Sequence, residues 1–180
     1  MKTALTIVPY DPMWPRAFEA ERDRLRAAVG SVALRIDHNG STAVPGLAAK
    51  PVIDIQISVA RLQPLDAYAV PLMTLGYVHV PHPDDAFAPF FHRPAEWPHT
   101  HHVHVVEAGG EEERRTLAFR DYLRAHPSTA AEYEALKRRL AALHGGGANA
   151  AARERYAEAK TVFVNQVVER AIADGYPRCD

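Results

Sequence analysis

Residues 51–59 alternate between apolar and polar side chains, and this pattern constrains the fold more than any other feature of the sequence. In an extended chain, successive side chains point to opposite faces. One face therefore carries Ile53, Ile55, Ile57 and Val59, and the other carries Asp54, Gln56 and Ser58. Because the apolar face needs a core to pack against, we predict a strand whose polar face borders a half-buried site.

The remaining periodicity predicts an α+β fold, a small mixed sheet with a C-terminal helical layer. Further strands are predicted at residues 32–36, 77–80, 87–91 and 101–107, with a short edge strand at 6–8. One helix is predicted from an N-cap at Asp11–Pro12 to Gly30, and a second over residues 65–75.

Three more helices are predicted after Gly110. The first covers residues 111–126, and the second opens at the capping box Thr129-x-x-Glu132. The third follows the glycines at 145–147 and is capped by Asn149. We expect a single domain over residues 1–180, with a sheet part at about 1–110 and a helical part at about 111–175.

Composition limits the class of partner. The 180 residues include 21 Lys and Arg against 22 Asp and Glu, a net charge of -1 that gives no general attraction to nucleic acid. The single Cys179 cannot form an intrachain disulfide. No apolar run approaches the roughly 18 residues of a membrane helix, and Pro9 comes too early for a signal peptide. We therefore expect a cytoplasmic protein without a membrane partner.

The segment from Gly40 to Lys50 has the residue types of a phosphate-binding turn. Gly40, Ser41 and Thr42 can present backbone N–H groups and hydroxyls to phosphate oxygens, and Lys50 can add a positive charge. The order of residues is not that of a P-loop. The alternative interpretation is a tight connection that uses glycine for a positive φ.

Asp54 is the candidate metal ligand next to this turn. A carboxylate about a dozen residues after Gly40 could hold Mg²⁺ against bound phosphates. Two-metal chemistry needs more than one carboxylate, and the next position on the same face is Gln56. The alternative for Asp54 is an ion pair or a capping role.

Seven of the ten histidines lie between His79 and His104. Alternate histidines on a strand can bind a transition metal such as Zn²⁺. Since neighbouring strand residues face opposite ways, His99, His101, His102 and His104 cannot all converge on one ion. We predict that His102 and His104 face the site, as metal ligands together with Asp54 or as a base. The alternative is a set of surface histidines that are hydrogen-bonded to their neighbours.

Six segments in this order resemble the GrpB family of the nucleotidyltransferase superfamily. The longest is residues 36–55, IDHNGSTAVPGLAAKPVIDI. The others are VPYDPMW at 8–14, HHVHVV at 101–106, FRDYLR at 119–124, YEALK at 133–137 and YAEAK at 156–160. The resemblance covers about residues 7–163, with Asn39 where the family more often has valine.

The resemblance implies a nucleotidyltransferase-like fold with Gly40–Ser41 as its Gly-Ser signature and Asp54 as the first acid of its acidic pair. Gln56 departs from the second acid, and His102 or His104 stands where the third is expected. Lys137 and Lys160 of the later motifs are the candidate helical phosphate contacts. GrpB-like domains also occur fused to dephospho-CoA kinase, which implies a functional link to that enzyme.

Three functions remain open at this stage. One is Mg²⁺-dependent transfer of a nucleotidyl group from an NTP, with Asp54, His102 and His104 as the catalytic residues. The second is a non-catalytic module that binds a nucleotide, CoA or another phosphorylated small molecule. The third is a histidine-rich protein that binds a transition metal.

Overall fold

Five strands form one mixed sheet in the computed structural model, which describes residues 6–143 and 150–178. The strands are β1 (Ala33–Asn39), β2 (Ile53–Val59), β3 (Val78–His79), β4 (Phe90–Arg93) and β5 (His101–Glu107). Their order across the sheet is β1-β2-β5-β4-β3. Only β2 and β5 pair in parallel, and the other neighbours are antiparallel.

The parallel register places the candidate residues side by side. Asp54 on β2 lies opposite His102 on β5, and Gln56 lies opposite His104. The alternation predicted for β2 is confirmed, because Ile53, Ile55, Ile57 and Val59 all belong to the apolar core. The opposite face is less open than expected, since Gln56 and Ser58 are fully buried.

Six α-helices surround the sheet within the described residues. They are α1 (Trp14–Val29), α2 (Asp66–Thr74), α3 (Glu111–Ala125), α4 (Pro127–Leu143), α5 (Ala150–Glu158) and α6 (Thr161–Ala173). Short 3₁₀ turns occupy Gly30–Val32, Ser41–Ala43 and Pro83–Ala86. None of the described helices is long and apolar enough to cross a membrane. The predicted α+β architecture, with a C-terminal helical layer, is confirmed.

Two large apolar clusters hold these layers together, beside a small third one that contains Leu140 and Tyr156. In the first, α1 and α2 pack on one face of the sheet through residues such as Leu25, Ile55 and Tyr68. In the second, α3, α4 and α6 enclose Leu123, Tyr133 and Val167 together with Val44 and Leu47 of the loop after β1. The polar residues of β2 and β5 lie between these clusters, and this arrangement leaves room for a site.

Several predicted boundaries are wrong by a few residues. The first helix begins at Trp14 and not at Pro12. The Asp11 carboxylate accepts a hydrogen bond from the backbone N–H of Met13 at 2.8 Å, and this short turn precedes the helix. Residues 6–8 contribute only an isolated bridge between Val8 and Ala49. The strand predicted at residues 32–36 extends to Asn39 as β1. β3 and β4 are shorter than expected.

The helical layer also differs in detail. α4 begins at Pro127 rather than at the Thr129 capping box, because proline's missing N–H is not needed in a first helical turn. Thr129 is buried inside the helix instead. The predicted last helix is two helices, α5 and α6, separated at residues 159–160. The glycines at 145–147 and the predicted cap Asn149 lie outside the described residues.

Candidate functional site

The turn after β1 brings its backbone directly against Asp54. Gly40 has a φ of +65°, a conformation that glycine adopts without steric cost. A Cβ atom built on Gly40 would lie 2.3 Å from Asp54 Oδ2, so no other residue fits there. Ser41 follows at the start of the 3₁₀ turn, and its side chain is hydrogen-bonded to that of Tyr133.

Thr42 does not line the site, in contrast to its predicted role as a phosphate contact. Its side chain is buried, with Oγ1 lying 3.0 Å from His38 Nε2 and 3.5 Å from the Val52 carbonyl oxygen. The Thr42 hydroxyl therefore stabilises the turn from the buried side, away from the site. His38 is also stacked on Phe18 at 4.8 Å, and burial lowers its pKa to about 4.

Asp54 and His102 form a close pair at the centre of the site. Asp54 Oδ1 lies 3.2 Å from His102 Nδ1, and the Asp54 side chain is 30% exposed. Burial alone would raise the pKa of Asp54, but the hydrogen bond and charge of His102, with the charge of Lys50, lower it to about 2. Asp54 is therefore an ionised carboxylate near neutral pH.

The hydrogen-bonded pair extends to His99. His102 Nε2 lies 3.1 Å from His99 Nδ1, and the His99 ring is stacked on His92 at 3.8 Å. Burial lowers the pKa of His102, despite its contact with Asp54. Burial and the neighbouring His92 lower the pKa of His99 to about 4. His99 and His102 are thus mainly neutral at pH 7, and they link Asp54 to the loop before β5.

The other two histidines of the predicted cluster, His101 and His104, do not belong to this hydrogen-bonded chain. His101 points to the opposite face of β5, where its Nδ1 lies 3.2 Å from a guanidinium nitrogen of Arg93. His104 lies on the site face with its ring 4.8 Å from Phe90. Over the described ranges, no three His, Cys, Asp or Glu side chains are grouped as metal ligands would be. The predicted metal set of Asp54, His102 and His104 is therefore not assembled.

A cavity of about 360 Å³ opens above Asp54, and we call it the cationic cavity. Four of its lining residues are basic: Lys50, Lys137, Arg153 and Lys160. Asp54 is the only acidic residue among its described lining residues. The remaining lining residues are Gly40, Ser41, Ala49, Phe90, His102, His104, Phe119, Tyr133, Tyr156 and Ala157. The structure thus brings every predicted phosphate contact except Thr42 to one cavity.

Lys137 and Lys160 each lie against an aromatic ring. Lys137 is buried, donates a hydrogen bond to the Ala48 carbonyl oxygen, and has its Nζ 4.9 Å from the Tyr133 ring centre. Lys160 Nζ lies 4.4 Å from the ring centre of Tyr156. Cation–π contacts of this kind orient an ammonium group without neutralising its charge.

Burial and mutual repulsion disfavour the charged form of these lysines. Burial, and then the charge of Lys160, lower the pKa of Lys137 to about 7. Burial, and then the charge of Lys50, lower the pKa of Lys160 to about 8. The pKa of Lys50 is also lowered by burial. An anion bound among them would remove this repulsion and restore the charged forms.

Trp97 lies beside the same cavity between two cations. Lys50 Nζ is 5.7 Å from the Trp97 ring centre, and the guanidinium carbon of Arg153 is 4.5 Å from it. Neither Trp97 nor Arg153 was predicted from the sequence. Arg153 lies on α5, which reaches the cavity only through long-range packing, and the local sequence around it resembles a solvent-exposed helix.

A second cavity of about 310 Å³ adjoins the first. The two share Gly40, Asp54, His104 and Phe119 as lining residues. The second cavity adds Gln56 and an apolar wall that consists of Ala88, Val106, Val164 and Val168. Asn39, Glu112, Arg115 and Thr116 complete its lining. This cavity is not predictable from local sequence, because its wall is formed by the packing of α3 and α6 against the sheet.

The side chains at the site do not fit the two-metal centre that the superfamily resemblance implies. Asp54 is a single carboxylate whose Oδ1 contacts His102, and Gln56 takes the position of the second acid. Four basic residues on the same cavity would repel a cation. The charge distribution therefore favours an anion.

Comparison with known proteins connects this site to a family. A family model described as "GrpB protein" matches residues 4–170. A UPF0157 protein of Halalkalibacterium halodurans is 38% identical over 172 residues, which cover 94% of this chain and 84% of that protein. The crystal structure of the conserved protein GrpB from Enterococcus faecalis has a TM-score of 0.82 and 30% identity, covering 94% of this chain and 98% of that chain.

Some relatives carry an enzyme name. A dephospho-CoA kinase of Mycolicibacterium paratuberculosis is 37% identical over 161 residues, which cover 76% of this chain but 40% of the kinase. The similarity therefore concerns one part of that protein.

Proposed function

The chain belongs to the GrpB family, and from that premise we propose that its cationic cavity binds the phosphate groups of a phosphorylated small molecule, with a nucleoside triphosphate as the first candidate. One observation carries this proposal: Lys50, Lys137, Lys160 and Arg153 line a cavity in which Asp54 is the only acid among the described lining residues.

The electrostatics favour a ligand with several negative charges. Unlike charges within a few ångströms attract by several kcal/mol at the effective dielectric constant of a protein surface, about 20. Burial is the largest cause of the lowered pKa values of Lys137 and Lys160, a neighbouring lysine adds to it, and a negative charge beside them would oppose both effects. A triphosphate group would supply that charge, and the Gly40–Ser41 turn would bring backbone groups to the same anion.

We propose binding rather than nucleotidyl transfer. Transfer by the superfamily mechanism needs carboxylates that hold two ions near the α-phosphate. Here the second position is an amide, Gln56, and the strand expected to carry the third acid carries His102 and His104. Binding should therefore be independent of Mg²⁺. The relatives named dephospho-CoA kinase support a role beside phosphorylated substrates, so CoA and dephospho-CoA belong among the ligands to be tried.

Isothermal titration calorimetry in EDTA tests the proposal. Inorganic triphosphate, ATP and CoA would be titrated into the protein at pH 6.5 and low salt. We expect triphosphate to bind, and the double variant Lys50→Met/Lys160→Met to bind it at least tenfold more weakly. Arg139→Gln is the matched control, because Arg139 is an exposed basic residue on α4 that does not line the cavity.

Two results would contradict the proposal. One is a wild-type protein that binds none of the three ligands. The other is an equal loss of affinity in Arg139→Gln, which would show that only net charge matters.

A further inference from the structure

We propose that the second cavity is the subsite for the uncharged end of the ligand, a planar heterocycle that presents a hydrogen-bond acceptor to the amide nitrogen of Gln56. This inference rests on the proposed function for the phosphate end. It assigns a different part of the ligand to a different cavity, and it can fail separately.

Gln56 provides the observation that points to a ligand. Its side chain is fully buried and lines the second cavity. Oε1 accepts a hydrogen bond from Asn39 Nδ2 at 3.2 Å, and this contact orients the amide. Thr116 Oγ1 lies 2.5 Å from Oε1 and also lies 2.9 and 3.0 Å from the carbonyl oxygens of Glu112 and Glu113. Nε2 has no hydrogen-bond partner among the described residues. Leaving a buried N–H donor unpaired is destabilising, so an acceptor in the cavity would be favourable.

The amide orientation also excludes a cation at this position. A metal ion would need the Gln56 oxygen, which already accepts a hydrogen bond from Asn39 and lies against the Thr116 hydroxyl. The nitrogen that is left over is a donor and cannot coordinate a hard cation. Position 56 is therefore suited to an acceptor atom of a ligand, and not to the second metal ion of a transferase.

The walls of the cavity fit an uncharged ring. Val106, Val164 and Val168 are apolar, and Phe119 offers an aromatic face. Glu112 and Arg115 lie 3.4 Å apart and neutralise each other, and Arg115 also donates a hydrogen bond to Asn165 at 3.0 Å. The remaining charged lining residue is the carboxylate of Asp54, at the border with the cationic cavity. The second cavity therefore lacks the excess positive charge of the cationic cavity and would not attract a second phosphate group.

The lining residues that the two cavities share determine how one ligand would be oriented across them. Gly40, Asp54, His104 and Phe119 border both cavities, so one molecule can pass from one to the other beside Asp54. Its phosphates would lie among the lysines and its ring between Phe119 and Gln56. Volumes of about 360 and 310 Å³ together fall within the range of small-molecule sites.

The experiment compares ligands with and without the ring. Inorganic triphosphate, ribose 5-triphosphate, the four nucleoside triphosphates and the corresponding nucleosides would be titrated into the protein in EDTA. We expect at least one nucleoside triphosphate to bind tenfold or more tightly than ribose 5-triphosphate. Gln56→Met should abolish that gain and change the affinity for inorganic triphosphate by less than twofold.

A second variant covers the case in which Gln56→Met fails to fold. Ala88→Phe adds a ring at a half-buried position of the cavity wall, away from the lysines. It should also remove the gain from the heterocycle and leave triphosphate binding unchanged.

The outcomes separate the two proposals. If triphosphate binds but no heterocycle adds affinity, or if neither variant reduces the gain, the subsite assignment is wrong and the phosphate proposal stands. If triphosphate does not bind but a nucleoside binds in a Gln56-dependent way, the phosphate proposal is wrong and the subsite stands. Binding of neither overturns both.

Discussion

Gly40 approaches Asp54 so closely that a Cβ atom on residue 40 would lie 2.3 Å from Asp54 Oδ2, well inside van der Waals contact. The turn and the carboxylate therefore occupy positions that depend on each other. A change at either residue is expected to act on the cavity before it acts on the rest of the fold.

Gly40→Ala should weaken triphosphate binding by at least tenfold, because either the turn or the Asp54 side chain must move. Gly46→Ala is the matched control: Gly46 also has a positive φ, +80°, but a Cβ there meets nothing within 4 Å. Backbone strain should cost about 1–3 kcal/mol in each variant, and Gly40→Ala should cost more, because a Cβ on residue 40 also meets Asp54. Equal unfolding free energies and equal affinities for the two variants would contradict the close-contact argument.

Asp54→Asn should raise the affinity for triphosphate in EDTA by a few fold. The change removes the negative charge that Asp54 contributes to the cationic cavity, and the amide oxygen can still accept a hydrogen bond from His102. Asp23→Asn, at a side chain that is 70% exposed on α1, is the control and should have no effect. A loss of affinity that appears only with Mg²⁺ present would instead identify Asp54 as a metal ligand.

The contribution of Lys137 to binding should depend on pH. Its pKa is lowered to about 7 in the free protein, so it is charged below that pH and increasingly neutral above it. Wild type should bind triphosphate more tightly than Lys137→Met at pH 6, and the difference should disappear by pH 9. Taking the ratio of the two affinities at each pH cancels the titration of the ligand itself. A ratio that stays constant from pH 6 to pH 9 would show that Lys137 does not titrate in this range.

His38 should make the protein sensitive to acid. Burial holds its pKa at about 4 instead of 6.5, so the unfolded chain binds more protons between these values and stability falls as pH decreases from 6.5 to 4. At pH 4.5 this single group should cost roughly 2–3 kcal/mol. Urea unfolding of His38→Gln should show a smaller difference between pH 7 and 4.5. The control His82→Gln, at a side chain that is 58% exposed, should retain the wild-type difference.

The sequence predicted the parts of the site that depend on local pattern. The alternation in β2 assigned Asp54 to the polar face, because strand geometry has a strict period of two. The same argument separated His101 from His102, and the structure places them on opposite faces of β5. The family motifs singled out Lys137 and Lys160.

The parts that the sequence did not predict depend on packing between distant elements. Nothing near Arg153 indicates that α5 carries it to Trp97, more than 50 positions earlier in the chain. Thr42 has the residue type of a phosphate contact, but its hydroxyl is hydrogen-bonded to His38 in the interior. The burial of Gln56 requires Thr116 on α3, and no local pattern links these two residues.

The cationic cavity is lined by residues of both the sheet and the helical layer. Its floor, with Asp54 and His102, belongs to the sheet, and its opposite wall, with Lys137 and Lys160, belongs to the helical layer. Without an anion, like charges accumulate at this junction of the two layers. A polyanion bound there would contact both the sheet and the helices. The stability of the contact between these two layers should therefore increase with the fraction of the protein that has ligand bound.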